Sequence, residues 1–202
     1  MKKTIAMLVA ALSFGVAVAQ TRHEVYVQYN RSSDKSDNYL GVTLGYKPAM
    51  QVTGEGQYLA LEYGAELTYT TNFDDRFWLL PKNNVVMDDY DYTGRMKMLS
   101  LGVPLTLAYH KHGLSLVPYA GVDLRWNAYG MFSPKGNSTD DFSIFSESNP
   151  EYKRFAAGWR AGLDWHVSRL VVGVQVGTDF NKMNNSASKC PFTAKLKLGY
   201  TF

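Results

Sequence analysis

Three groupings of side chains have the types and spacing that chemistry needs. Asp164 and His166 lie two residues apart, and Arg160 stands four residues before Asp164. On an extended chain residues of like parity share a face, so these three project together. A His beside a carboxylate can work as a general acid or base. Ser100 or Ser168 would be the nucleophile of a hydrolase or acyltransferase built on that pair, yet neither stands at a supporting spacing. His110 and His112 flank Lys111 as two metal ligands could. With no Cys or carboxylate beside them, they read as solvent-facing turn residues. Glu62 and Glu66 share a strand face and read as ion-pair members. There is no nucleophile elbow, phosphate-binding Gly loop or zinc motif. The expectation is a non-enzymatic protein without cofactor or metal.

The elements that carry these residues are extended. From residue 58 onward the chain runs in segments of strict period 2, the strand signal. The last is the cleanest. Phe192, Ala194, Leu196, Leu198, Tyr200 and Phe202 alternate with Thr193, Lys195, Lys197, Gly199 and Thr201. Segments 58–69, 98–109, 114–126, 155–167 and 170–180 repeat the pattern, and two shorter runs lie at 24–30 and 39–47. That makes about eight strands, near the roughly 9–11 residues of a tilted membrane strand.

One face of every segment is aliphatic and aromatic. Tyr29, Tyr46, Tyr69, Tyr109, Trp126, Trp165, Tyr200 and Phe202 stand toward segment ends, as interfacial girdles do. The other face is rich in glycine and charge. Glu62, Glu66, Asp123, Asp164 and Asp179 are set against Arg125, Arg160, Lys195 and Lys197, with His166 among them. Signs that nearly cancel suit a narrow lumen in which the charges neutralise one another. Connections alternate in length. Those at 110–113 and around Ser168 are short, while 70–91, 127–151 and 181–191 are long. Short turns on one side and long loops on the other mark a membrane barrel. Two connections depart from the rule: 31–37 is short, and 48–56 is long for its side.

Composition agrees. The 202 residues allow one domain, and charged residues make up only 19%. The formal net charge of +3, with no basic run, gives no reason to expect a nucleic-acid partner. Lys2 and Lys3, the apolar run 5–16 and Ala17-Val18-Ala19 read as a cleaved export signal over 1–19, with the mature domain over 20–202. Beyond that run no apolar stretch is long enough for a spanning helix. The single Cys190 excludes an internal disulfide.

Four stretches resemble a known family: "LSLGVPLTLAYH" from Leu99, "LVPYAGVDLRW" from Leu116, "FAAGWRAGLDWHVSRLVVGVQVGTDF" from Phe155, and the closing "AKLKLGYTF" from Ala194. In this order they are similar to the porin-like outer membrane protein β-barrel family, related in architecture to the small OmpA/OmpX-type barrels. The resemblance implies an all-β fold: an antiparallel up-and-down transmembrane barrel in a Gram-negative outer membrane. The alternating C-terminal segment also resembles the signal read by the outer-membrane assembly machinery, with Tyr200 and Phe202 in that role.

The expected partners are therefore outer-membrane lipid, the assembly machinery, and an extracellular partner met by the loops. Phe77 and Trp78 in one loop and Phe132, Phe142 and Phe145 in another are the contact candidates, since exposed aromatics mark binding surfaces. The bland alternative is that they pack over the barrel mouth. A structural or surface-interaction barrel with a filled lumen is the leading expectation, because eight strands enclose a space that side chains just fill. A narrow passive porin, a soluble ligand-binding barrel and an envelope lipid-modifying enzyme are the rivals.

Overall fold

A computed structural model describes residues 21–33, 38–52, 57–72, 85–87, 92–134, 140–145, 152–182 and 190–202. The expected export signal over 1–19 and the loop residues Phe77 and Trp78 lie outside them.

The period-2 segments form the strands β1 (Thr21–Ser33), β2 (Asn38–Gln51), β3 (Gln57–Tyr63), β4 (Ala65–Asn72), β5 (Val85–Met87), β6 (Tyr92–Lys111), β7 (Leu116–Pro134), β8 (Phe142–Ser143), β9 (Phe155–Val167), β10 (Leu170–Asp179) and β11 (Phe192–Thr201). All pairings are antiparallel, and β1 pairs with both β2 and β11, so the sheet closes on itself. β3 and β4 act as one strand. Both follow a single register against β2 (Ala49↔Glu62, Tyr46↔Ala65) and another against β6 (Leu61↔Leu107, Leu67↔Leu101). The break at Gly64 lies opposite Lys47 and Pro48, and Pro48 has no N–H to donate. Counting that pair once, and setting aside the short β5 and β8, the described residues form a ring of eight strands.

Several strands outrun their sequence pattern. β6 has 20 residues and β7 has 19, so both extend past the expected loop boundaries. β2 runs to Gln51 and β3 begins at Gln57, which leaves five residues between them rather than the nine expected. At the same end lie the β6–β7 turn and the two-residue turn Ser168–Arg169. Gly113 and Ser168 adopt positive φ there, 77° and 57°.

The alternation is the reverse of a soluble barrel. Val42, Leu44, Leu105, Leu124, Val174, Leu196 and Leu198 face outward, each more than 40% exposed, while Glu24, Glu62, Glu66, Arg160 and Asp164 are buried inside. No helix among the described residues is long and apolar enough to cross a membrane, and the strands are what offer a crossing. Outward aromatics gather toward both ends. Tyr46, Tyr109, Trp165, Tyr200 and Phe202 lie near the short turns, while Tyr69, Trp126, Tyr129 and Phe155 lie toward the long loops. At the short-turn end Arg169 donates to the Tyr200 hydroxyl at 3.2 Å, and this bond raises the Arg169 pKa above its ordinary value. A cylinder with an uninterrupted apolar outer belt and polar contents is stable only in a bilayer, where all strand N–H and C=O groups are paired around the ring.

Candidate functional site: the lumen and its mouths

Each inward position is filled from the strand parity just described. The centre of the lumen holds two linked ion clusters. In the one nearer the short turns, Lys197 on β11 donates to Glu24 on β1 at 2.8 Å and also to Asp164 on β9. Lys47 on β2 donates to Glu62 on β3 at 2.7 Å and stands 3.6 Å from Glu24 and 3.7 Å from Asp164. Thr106 also donates to Glu62. Arg22 lies 3.9 Å from both glutamates.

In the other cluster Arg160 on β9 meets Glu66 on β4 with two donors and Asp123 on β7 at 2.8 Å. Lys195 approaches Glu66 at 3.5 Å, and the Tyr26 hydroxyl donates to the same carboxylate at 2.7 Å. Arg125 pairs with Asp179. Arg22, Lys47, Arg125, Arg160, Lys195 and Lys197 thus face Glu24, Glu62, Glu66, Asp123, Asp164 and Asp179. Six cations meet six carboxylates, so a low-dielectric interior carries no net formal charge from them.

Two tyrosines fill the space between the clusters. Tyr26 lies against Gly45 on the neighbouring β2, and Tyr119 lies against Gly162 on the neighbouring β9. A Cβ at either glycine would collide with the ring, so glycine is what lets each tyrosine lie flat on the wall. Tyr119 donates to Gln175 at 3.2 Å, and Lys47 and Lys197 stand over its ring at 5.4 and 5.6 Å. Here the free volume falls to about 10 Å³. A single water needs roughly 10–15 Å³. On the long-loop side a cavity of about 40 Å³ opens among Ser100, Asp123, Arg125 and Lys195. On the short-turn side two connected hollows of about 340 Å³ each share Arg22, Tyr58 and His110.

The sequence candidates divide accordingly. Glu62, Glu66, Asp123, Arg125, Arg160, Asp164, Asp179, Lys195 and Lys197 all face inward and meet in these pairs. His166 does not join Asp164. Its Nε2 stands 3.5 Å from Arg22, while Asp164 is taken by the lysines. Ser100 donates to Asn127 at 2.7 Å, away from any histidine. His110 is not the solvent-facing turn residue expected. It is the penultimate residue of β6, and its parity turns it inward, where it is buried, stacked on Tyr58 at 4.8 Å and tilted to His166 at 6.2 Å. The described residues contain no group of three or more metal-ligating side chains. Glu24, Lys47, Arg22 and Tyr26 were missed, because β1 and β2 showed only short alternating runs. Glu24, Tyr26 and Lys47 already stand on the inward parity of those runs, and extending it by two residues reaches Arg22.

Hydrocarbon gathers at the long-loop end of the lumen. Tyr39, Met96, Phe132 and Ile144 form a buried cluster, with Phe142, Phe145 and Tyr152 packed on it. Phe132 and Phe142 stand 5.4 Å apart. Phe132 is thus not a surface contact residue. A β-bulge decides this: Leu99 pairs Tyr129 but Ser100 pairs Asn127, leaving Ala128 as an extra residue. The bulge reverses the parity of β7, which Trp126 alone would have carried outward to Phe132. Arg154 braces the cap, donating to the carbonyls of Ala128 and Phe145 and standing 4.9 Å over the Phe145 ring.

No family model and no curated protein matches the chain. The solved structures it is similar to include three outer-membrane proteins. Neisserial surface protein A (NspA) is 12% identical over 90% of this chain and 95% of that one, with a TM-score of 0.48. The N-terminal β-barrel domain of Pseudomonas aeruginosa OprF is 16% identical over 91% and 100%, with a TM-score of 0.42. The outer membrane enzyme PagL is 12% identical over 88% and 98%, with a TM-score of 0.45. The assignment as an eight-stranded barrel rests on the strand pairing itself.

Proposed function

We propose that the protein is a small outer-membrane barrel with a closed lumen, which serves the envelope as a structural and surface-interaction protein rather than as a channel or an enzyme. The constriction of about 10 Å³ between Tyr26, Tyr119 and the lysines carries this reading. A passage that narrows to about the volume of one water, walled by neutralised ion pairs, leaves the outer surfaces as the parts able to meet larger molecules. The outer face meets lipid, and the long-loop end meets whatever lies outside the cell. Tyr200 and Phe202, exposed on the closing strand, are proposed as the recognition element for barrel assembly.

Planar-bilayer recording tests the closed lumen, with membrane fractionation of the expressed chain beside it. The expected result is outer-membrane recovery and no steady conductance. Steady openings that change when Arg160 or Arg125 is replaced would establish the rival reading of a narrow porin.

A further inference from the structure

The lipid-facing surface is not smooth. Where β6, β7 and β9 run side by side, Leu101, Val103, Leu124, Trp126, Phe155 and Ala157 border a groove of about 430 Å³. Ala157 creates it. Its methyl group lies opposite Leu124 on β7 and between the larger Phe155 and Trp159 on its own face. At this height β10 has ended, and Asn181 takes over its pairing role. It accepts from the Ala157 N–H at 3.0 Å and donates to the Phe155 carbonyl at 2.9 Å. The groove therefore has a backbone fixed on both sides and hydrocarbon walls, within the size range of ligand pockets.

Cations stand above the groove on and beside the strands that border it. Lys97 stands four residues beyond Leu101 on β6, about 14 Å toward the long loops at strand rise. Lys153 and Arg154 immediately precede Phe155, and Asn127 holds both of their carbonyls, with N–H and Nδ2 at 2.7 and 2.8 Å. Asp140 and Asp141 are exposed on the capping segment at this end. Hydrocarbon below and cations at interfacial height match an amphiphile with an acyl chain and an anionic head.

We propose that this groove binds one acyl chain of a phosphate-headed lipid, with its phosphate against Lys97 and Lys153. The proposal rests on the membrane reading above. Folded protein is purified in neutral detergent and offered lipid A, or the same lipid A stripped of its phosphates. Retained lipid is read by native mass spectrometry. Lipid A is expected to be retained about tenfold more than the stripped lipid, the size of one or two charge-assisted contacts. K97Q/K153Q should remove that difference, and A157L, which fills the groove, should reduce retention of both lipids. Equal retention of the two lipids by the wild type, or wild-type retention by K97Q/K153Q, would overturn the proposal. Insertion into vesicles is measured on the same samples. Failure to insert would sink the membrane reading, whereas insertion with equal retention sinks the groove alone.

Discussion

Arg160 on β9 holds Glu66 on β4 with both arms of its guanidinium, at 2.7 and 2.9 Å, across the lumen. The same side chain reaches Asp123, and Arg160 and Glu66 are shielded from bulk water. Removing one side of a buried pair costs about 3–5 kcal/mol, because the partner is left charged and unpaired. Arg160→Met should therefore lower the free energy of unfolding from vesicles by that amount, seen as a lower urea midpoint. Adding Glu66→Gln should restore part of the loss. A wild-type midpoint for the single variant would show that the cluster does not hold the barrel together.

Gly45 and Tyr26 make a steric test. A side chain at position 45 would occupy the space of the Tyr26 ring. Gly45→Val should cost about 1–3 kcal/mol through overpacking. Tyr26→Ala in the same chain should relieve it. The temperature at which the folded band disappears on a heat-modifiability gel measures both.

Leu196 faces outward midway along β11. Leu196→Arg should destabilise the barrel in vesicles by about 2–4 kcal/mol, the cost of a cation near the bilayer midplane. His112→Arg, in an exposed turn, should stay within about 0.5 kcal/mol. If both substitutions were neutral, the outer face would not be in hydrocarbon.

Ala128 and Phe132 should be coupled. Deleting Ala128 removes the extra residue and turns Phe132 out of the cap. Phe132→Ala alone should cost about 3–5 kcal/mol, as large aromatic deletions in packed sites do. The double variant should cost little more than the deletion alone, since residues acting through one packing site are not additive. Urea unfolding of the three variants supplies the comparison.

How much of this the sequence disclosed depends on the strand. In β9, β10 and β11 the alternation is unbroken, so Arg160, Asp164, Lys195 and Lys197 could be placed inside from spacing alone. In β7 the parity holds only as far as Asn127. Nothing in Asn127-Ala128-Tyr129 announces a bulge, and the side of Phe132 follows from pairing with β6, a contact distant in sequence. His110 was misplaced for a different reason. Its neighbours Lys111, His112 and Gly113 read as a turn, and strand parity carries past the point where local composition changes. Glu24 and Lys47 stand at the ends of the two short runs and could have been found from the parity of β1 and β2 alone. Which carboxylate meets which cation was not legible, because partners such as Lys197 and Glu24 are brought together only by ring closure.

That closure has a consequence for how the molecule forms. Pairing of β1 with β11 joins segments roughly the whole described chain apart, and His23 and Phe202 exchange backbone hydrogen bonds at the seam. Until they meet, a row of hairpins ends in two unsatisfied rims, each an open template for another chain. Lys197 and Glu24 come from opposite sides of that seam, so the partial assembly also carries unmatched ions into lipid. Formation should thus be all-or-none, and any route through a half-made cylinder requires something outside the chain to shield it.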